Sequence, residues 1–319
     1  MIDVHVHLAA FPTPSNGCLM SEPMRRKFLV KLNAFVQGLP LDDPEAANRK
    51  YVDNLKRELS ASRRVDKAVV LGMDGAYDSR GELVEAHTDF LISNDYVLGV
   101  AATDPRLLPG VSIHPGRKDA LDELERCAER GAALVKWLPN AQRFDPSDKR
   151  FVPFYRALAK LRMPLLSHIG FEFSLIGADQ SVGDPLRLIP ALEEGVTVIA
   201  AHGCSKGLFF GEPYFASMLE LVRRYRNFYV DTSALTLPNR VGALLMLRRH
   251  PEVFDRLLLG TDYPILVFAY PCLMAGKVSG FLSSAGGASR FDRQARVLDA
   301  LGVRLGADFA KLAAAPRGS

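Results

Sequence analysis

Short apolar runs rich in Val, Ile and Leu alternate along this chain with longer segments whose apolar residues recur every three to four positions. That alternation predicts β-α-β units built on a parallel sheet covered on both faces. Eight runs read as strands: residues 2–7, 67–72, 110–114, 133–138, 164–168, 197–202, 228–232 and 257–262. For the third, residues 96–101 (YVLGVA) stand as an alternative or an addition. Strand and helix in regular succession around eight strands predict an α/β fold, a (β/α)8 or TIM barrel.

The connecting segments support this order. Residues 119–130 place Ala120, Leu121, Leu124, Cys127 and Ala128 on one face and charges on the other, and Gly131 closes the helix. Residues 151–161 repeat the pattern with Phe151, Phe154, Leu158 and Leu161 before Pro164 opens the next strand. The stretch 9–64 is too long for a strand-to-helix link and has helical patterning at 24–35 and 44–59. It is expected to be a helical insertion after the first strand, lying over the barrel mouth. Residues 313–319 are small and polar and are expected to fray. No repeat or linker divides the chain, so 1–319 is expected to form a single barrel domain.

Composition narrows the function classes. Hydrophobic residues make up 48% and charged residues 24% of the 319, as in globular proteins with a large core. The 40 basic and 36 acidic residues leave a net charge of +4, with no basic stripe to follow a phosphate backbone, so nucleic acid is excluded as a partner. No apolar run is long enough to span a bilayer, and the start MIDVHVHL lacks a signal peptide's pattern. The expectation is a cytoplasmic protein without a membrane partner. Cys18, Cys127, Cys204 and Cys272 form no CxxC pair and read as reduced thiols. Cys204, two residues after His202, is read as a packing residue, with metal ligation as the alternative.

The informative feature is where the histidines fall. Five of the seven end or directly follow apolar runs: His5, His7, His114, His168 and His202. In a parallel barrel all strands point their C-terminal ends at one mouth, which carries the active site. His5 and His7, in DVHVHL, share one face of a strand by its period of two. His168 closes PLLSH, His202 closes VIAAH, and Asp262 closes the last run in LLLGTDYP. Any one of these histidines could be a hydrogen-bonded core residue. Their joint convergence with an aspartate points instead to a site for one divalent cation with open positions for water and substrate.

In these motifs the chain resembles the amidohydrolase superfamily. Within it, the chain resembles the amidohydrolase-related (amidohydrolase 2) family of metal-dependent hydrolases and aminocarboxymuconate-semialdehyde decarboxylase-like enzymes. DVHVH, GVSIHP, GAALVKWLP, PLLSHIG, VIAAHG and LLLGTDYP occur in the family's order over nearly the whole chain. The resemblance implies that His5, His7, His168 and Asp262 hold one metal ion, zinc first, with manganese or iron as alternatives. It implies that Asp262 also takes the proton of the attacking water, and that His202 is an acid/base or oxyanion-stabilising group. A lysine near Lys136 bridges two metals as a carbamate in some members and has a structural or substrate-side role in others.

The expected activity is hydrolysis of a small substrate carrying a carboxylate or carbonyl. A decarboxylase on the same ligand set is the first alternative, and a barrel that has lost catalysis and serves as a binding scaffold is the second. His114 could touch substrate or cap a turn. Trp137, Asn140, Phe171, Glu172, Lys206 and Tyr263 follow strand ends and are candidates to line the pocket, with Lys206 and Arg143 as partners for a substrate carboxylate. His87, in a predicted helix, and His250 read as surface or packing residues. A homo-oligomer, whose second subunit could complete the mouth, is left open.

Overall fold

The computed structural model describes residues 1–173, 175, 179–209, 211–286 and 289–313. The fraying expected of the tail therefore concerns residues that lie, from 314 on, outside those described. Eight parallel strands follow one another around a barrel in chain order. They are β1 (Ile2–His7), β2 (Lys67–Leu71), β3 (Leu107–Val111), β4 (Leu134–Trp137), β5 (Leu165–Ser167), β6 (Val198–Ala200), β7 (Phe228–Asp231) and β8 (Leu257–Leu258). β8 is short, and the seam with β1 is closed mostly beyond it. Val4 N donates to Leu259 O (2.9 Å), Asp262 N to His5 O (2.9 Å) and His7 N to Tyr263 O (2.8 Å).

The two-residue period of the strands sorts side chains into two cores. Val69, Leu71, Leu134, Leu166, Ile199 and Leu258 fill the barrel interior, with Phe309 against them. Ala68, Val70, Val135, Trp137, Leu165, Val198, Phe228 and Val230 point outward into the layer shared with the helices. The inward positions change character two residues further along. Leu134 is followed by Lys136, Leu166 by His168 and Tyr229 by Asp231, so a polar layer rests on an apolar plug. In β1 a register irregularity between Asp3 and Val6 leaves Val4 in the inner plug while His5 and His7 face the polar layer.

The structure corrects the sequence reading at several elements. The third strand is Leu107–Val111, not 110–114, and 96–101 lies in the helix Asn94–Ala101. That helix is started by Ser93, whose hydroxyl accepts from Tyr96 N, and its buried Val97, Leu98 and Ala101 follow the helical period. Pro109 had obscured the strand, because proline has no N–H for the ladder; its carbonyl still accepts from Ala133 N (2.7 Å). The patterning at 24–35 breaks at Lys27, whose ψ of 135° is extended, into helices Glu22–Arg26 and Phe28–Gln37. His87 lies in the one-turn 3-10 segment Glu85–His87.

The stretch after β1 has two parts. Helix Pro44–Ser60 buries Tyr51, Leu55 and Leu59 in the outer core and packs beside helix Arg290–Ala300, as a barrel's own first helix does. Residues 8–43 are the extra portion. Leu19–Met20 pairs with Phe90–Leu91, and Gln37 Oε1 accepts from Tyr263 OH (3.4 Å), beside the end of β8.

Trp137, the one tryptophan of the chain, is fully buried among Phe144, Phe154 and Tyr155, and its indole donates to Ile113 O (2.7 Å). Trp137→Ala is expected to cost about 3–5 kcal/mol of folding stability. Urea unfolding followed by circular dichroism would show it as a lowered midpoint; an unchanged midpoint contradicts this packing.

Candidate active site

At the top of the barrel three side chains converge. His5 Nε2 lies 3.2 Å from His7 Nε2, and Asp262 Oδ1 lies 3.1 Å from His7 Nε2 and 3.4 Å from His5 Nε2. The three form a cluster able to hold a metal ion. His5 and Asp262 are buried, whereas the His7 side chain is 33% exposed, so the cluster opens to solvent on the His7 side.

The donor set suits a divalent cation. His5 Nδ1 is 2.7 Å from Asp231 Oδ2 and 3.0 Å from Ser233 Oγ. A ring nitrogen against a carboxylate carries the proton, so the lone pair sits on Nε2, facing His7 and Asp262. Burial, reinforced by Lys136, lowers the His5 pKa against the pull of Asp231 and Asp262, which keeps the imidazole neutral. Burial acts to raise the Asp262 pKa, but His5, His7 and Lys136 outweigh it and hold the carboxyl well below the usual carboxylate range. Neutral imidazoles and a carboxylate are the ligands zinc, manganese and iron accept.

Local backbone geometry aims these groups. Asp262 has φ of 65° and His202 has φ of 60°, in the left-handed region that non-glycine residues rarely enter, and both carry site side chains. Gly260 lets β8 approach closely: a Cβ there would lie 3.1 Å from the Cβ atoms of His5 and Ser233 and 3.2 Å from Asp231 Cγ.

The other expected site residues take distinct places. Lys136 Nζ lies 3.2 Å from His5 Nε2. Burial lowers its pKa to about 8, with Asp231, Asp262 and Glu172 pulling the other way. His168 lies in the polar layer but outside the three-residue cluster. Its Nδ1 is 3.0 Å from His202 Nε2, and its Nε2 is buried without a hydrogen-bond partner, 3.8 Å from Glu172 Oε2. His202 Nδ1 meets Ser233 Oγ at 2.8 Å and Asp262 Oδ2 at 3.9 Å, so both ring nitrogens face protein groups. Burial, with Arg240 beside them, drives both His168 and His202 well below the ordinary histidine pKa.

Several candidates fall away from the cluster. Trp137 faces the helix layer, because Lys136 takes the inward position and the next residue must point out. His114 caps a turn: its Nδ1 accepts from Gly116 N (2.9 Å), and its ring is enclosed by Tyr77, Phe144 and Phe151. Lys206 Nζ sits over the rings of Phe171 (5.1 Å) and Tyr214 (5.4 Å). Asn140 bonds to Gln180 Oε1 (2.9 Å), and Tyr263 stacks on Phe291. Arg143 is exposed at a helix end, and Cys204 is buried in the outer core.

Asp231, Ser233 and Arg240 were not anticipated. The period of two along FYVDTS, with Tyr229, Asp231 and Ser233 on one face, was the available signal for the first two. Arg240 has none, since it returns to the site from a loop. There its Nη1 donates to Ser205 O (3.0 Å) and Ile169 O (3.4 Å) and its Nη2 to Phe171 O (3.2 Å).

Residues 2–281 match the model of the family described as Amidohydrolase. The chain belongs to that family. Among solved structures, an uncharacterised TIM-barrel protein of Bordetella bronchiseptica is 19% identical, covers 94% of this chain and 99% of its own, and superposes with a TM-score of 0.60. A probable 2-pyrone-4,6-dicarboxylic acid hydrolase of Acinetobacter baumannii, solved with citric acid, is 14% identical over 94% and 98% with a TM-score of 0.55. A 5-carboxyvanillate decarboxylase of Novosphingobium aromaticivorans, complexed with manganese and 4-hydroxy-3-methoxy-5-nitrobenzoic acid, is 16% identical over 97% and 94% with a TM-score of 0.51. At these identities the likeness establishes the barrel fold. No curated protein matches the sequence.

In this amidohydrolase-family chain His114 has a measurable consequence. Burial lowers its pKa from 6.5 to about 4. The unfolded chain therefore binds a proton, as pH falls below 6.5, that the folded chain refuses until about 4. The folded state is undisturbed by this group above 6.5 and loses stability as pH falls through that window. Between pH 7 and 4.5 the wild type is expected to lose about 2 kcal/mol more than His114→Gln. Unfolding free energies of both at the two pH values check this; equal losses would show that His114 titrates normally.

Proposed function

We propose that this chain is a divalent-metal-dependent hydrolase acting on a small carboxylate-bearing substrate. His5, His7 and Asp262 are its ligands, joined by the unpartnered Nε2 of His168. The observation that carries this reading is the convergence of His5 Nε2, His7 Nε2 and Asp262 Oδ1, with His5 oriented by Asp231. Zinc, manganese or iron would suit the set. When bound, the cation supplies an acidified water and polarises the electrophile.

The chain's own groups do the rest. Asp262, held anionic beside His7, accepts the proton of the attacking water and returns it to the leaving group. Lys136, buried at the same height, offers a cation to charge developing on the substrate. Arg240 adds a second buried cation and ties together the loops after β5 and β6, which border the site. His202 is held between Ser233 and His168 and keeps the His168 ring in place. These paired cations favour an anionic substrate, in keeping with the carboxylates named for the Acinetobacter and Novosphingobium proteins.

Among the described residues no helix is long and apolar enough to cross a membrane, and all four cysteines are free and buried. These features suit a reducing compartment, and we place the reaction in the cytoplasm.

A second reading keeps the ligands and changes the bond that breaks. The decarboxylases among the solved structures favour it, as does Lys136, which could protonate a carbanion left by carbon dioxide.

Elemental analysis of the purified protein is expected to find about one transition metal per chain, absent from His5→Ala/His7→Ala. Asp231→Asn should weaken metal binding about 10–100-fold. A metal-free wild type after reconstitution would overturn the ligand assignment.

Asp262→Asn is expected to reduce kcat by about two to four orders of magnitude without lowering Tm. Product analysis on aromatic and aliphatic di- and tricarboxylates separates the readings. A new acid or alcohol without gas supports hydrolysis, whereas stoichiometric carbon dioxide replaces it with decarboxylation.

A further inference from the structure

The helix Phe28–Gln37 wears its pattern inside out. Its buried positions are Ala34 and Gln37, while Phe28, Leu29, Leu32, Phe35 and Val36 face solvent, with Phe28 at 74% and Phe35 at 84% exposure. These five positions share one side of a 3.6-residue helix, and Leu41 is exposed just beyond it. At roughly 200 Å² per large side chain, the six present on the order of 600 Å² of apolar surface. That is at the upper end of what a monomer leaves open and close to the roughly 800 Å² per partner of a stable complex.

The charges beside the stripe say what covers it. Arg25, Arg26 and Lys27 precede the helix; Asp42, Asp43 and Glu45 follow it, and no acidic residue lies from 23 to 41. Even with Glu22 paired to Arg26 (2.9 Å), the unit is net basic at one end, apolar in the middle but for exposed Lys31, and acidic at the other. Two copies laid antiparallel about a two-fold axis put stripe on stripe and each basic end against the partner's acidic end. The helix N-terminus, which has no side-chain cap and no acidic residue in its first turn, then also gains a neighbouring carboxylate. An anionic lipid surface would attract the basic end and repel the acidic one, so self-association fits the whole segment better.

We propose that Phe28–Gln37 is the two-fold interface of a homodimer of this chain. Because Gln37 meets Tyr263, the residue after Asp262, the interface would border the mouth on the side of β1 and β8 without supplying a ligand.

Sedimentation velocity across the micromolar range tests it on the 319-residue chain. The wild type is expected at twice its 35.1 kDa. Phe35→Glu should raise the dimer Kd by about a hundredfold, with Tm and circular dichroism unchanged. Arg25→Glu should weaken the dimer, and adding Asp42→Arg should restore it; this pair of surface changes decides the matter if Phe35→Glu fails to fold. A wild type that stays monomeric overturns the proposal, as does a dimer that survives Phe35→Glu or an Arg25→Glu defect that Asp42→Arg does not repair. Monomeric wild type that pellets with phosphatidylserine vesicles and loses that through Phe35→Glu would assign the stripe to a membrane instead.

Discussion

The contact between His5 Nδ1 and the buried Asp231 carboxylate, 2.7 Å long, organises the barrel top. A carboxylate sealed inside a barrel is costly unless every lone pair is met. Asp231 is met by the His5 ring, by His202 N and Ser233 N at 2.9 Å each, and by the Ser233 hydroxyl. Burial alone would raise its pKa; His5 and these donors bring it below the usual value. Because the donors come from β1 and from the ends of β6 and β7, one side chain locks three strand ends together. It also sets the His5 tautomer, and so the direction in which the remaining lone pair points.

From that orientation the rest of the site follows. Lys136 and Arg240 are the buried cations; Asp231, Asp262 and Glu172 act on both of them, and Glu212 acts on Arg240 as well. His5, His168 and His202, whose pKa values burial lowers, add none. The carboxylates outnumber these two cations, an excess of negative charge that suits a cation at the open face by His7. Below it, the apolar plug excludes water from one side and Arg240 braces the loops on another, so the groups meet a substrate with little reorganisation.

The barrel was largely legible in the chain because each strand had to be apolar where it is covered on both sides, and five of the eight runs ended in a histidine or an aspartate. Reading failed where local rules competed. Pro109 hid a strand, and Ser93 turned an apolar run into a helix. The position next to Lys136 was read as if both neighbours could face the mouth, although strand alternation sends Trp137 the other way. The segment after β1 looked like one insertion because periodicity marks helices without saying which of them covers the sheet.

The sequence by itself determined the fold class and the order of the strands, and of the four residues it picked out, His5, His7, His168 and Asp262, the fold brings His5, His7 and Asp262 into one cluster and leaves His168 outside it; period and the places where polar residues interrupt apolar runs carry that much. Only the tertiary structure decided that Asp231 and Ser233 support His5, that His168 pairs with His202, and that Arg240 returns from a loop to brace the mouth. These contacts join residues far apart in the chain, and their geometry depends on barrel closure at the β1–β8 seam. No local pattern carries that information.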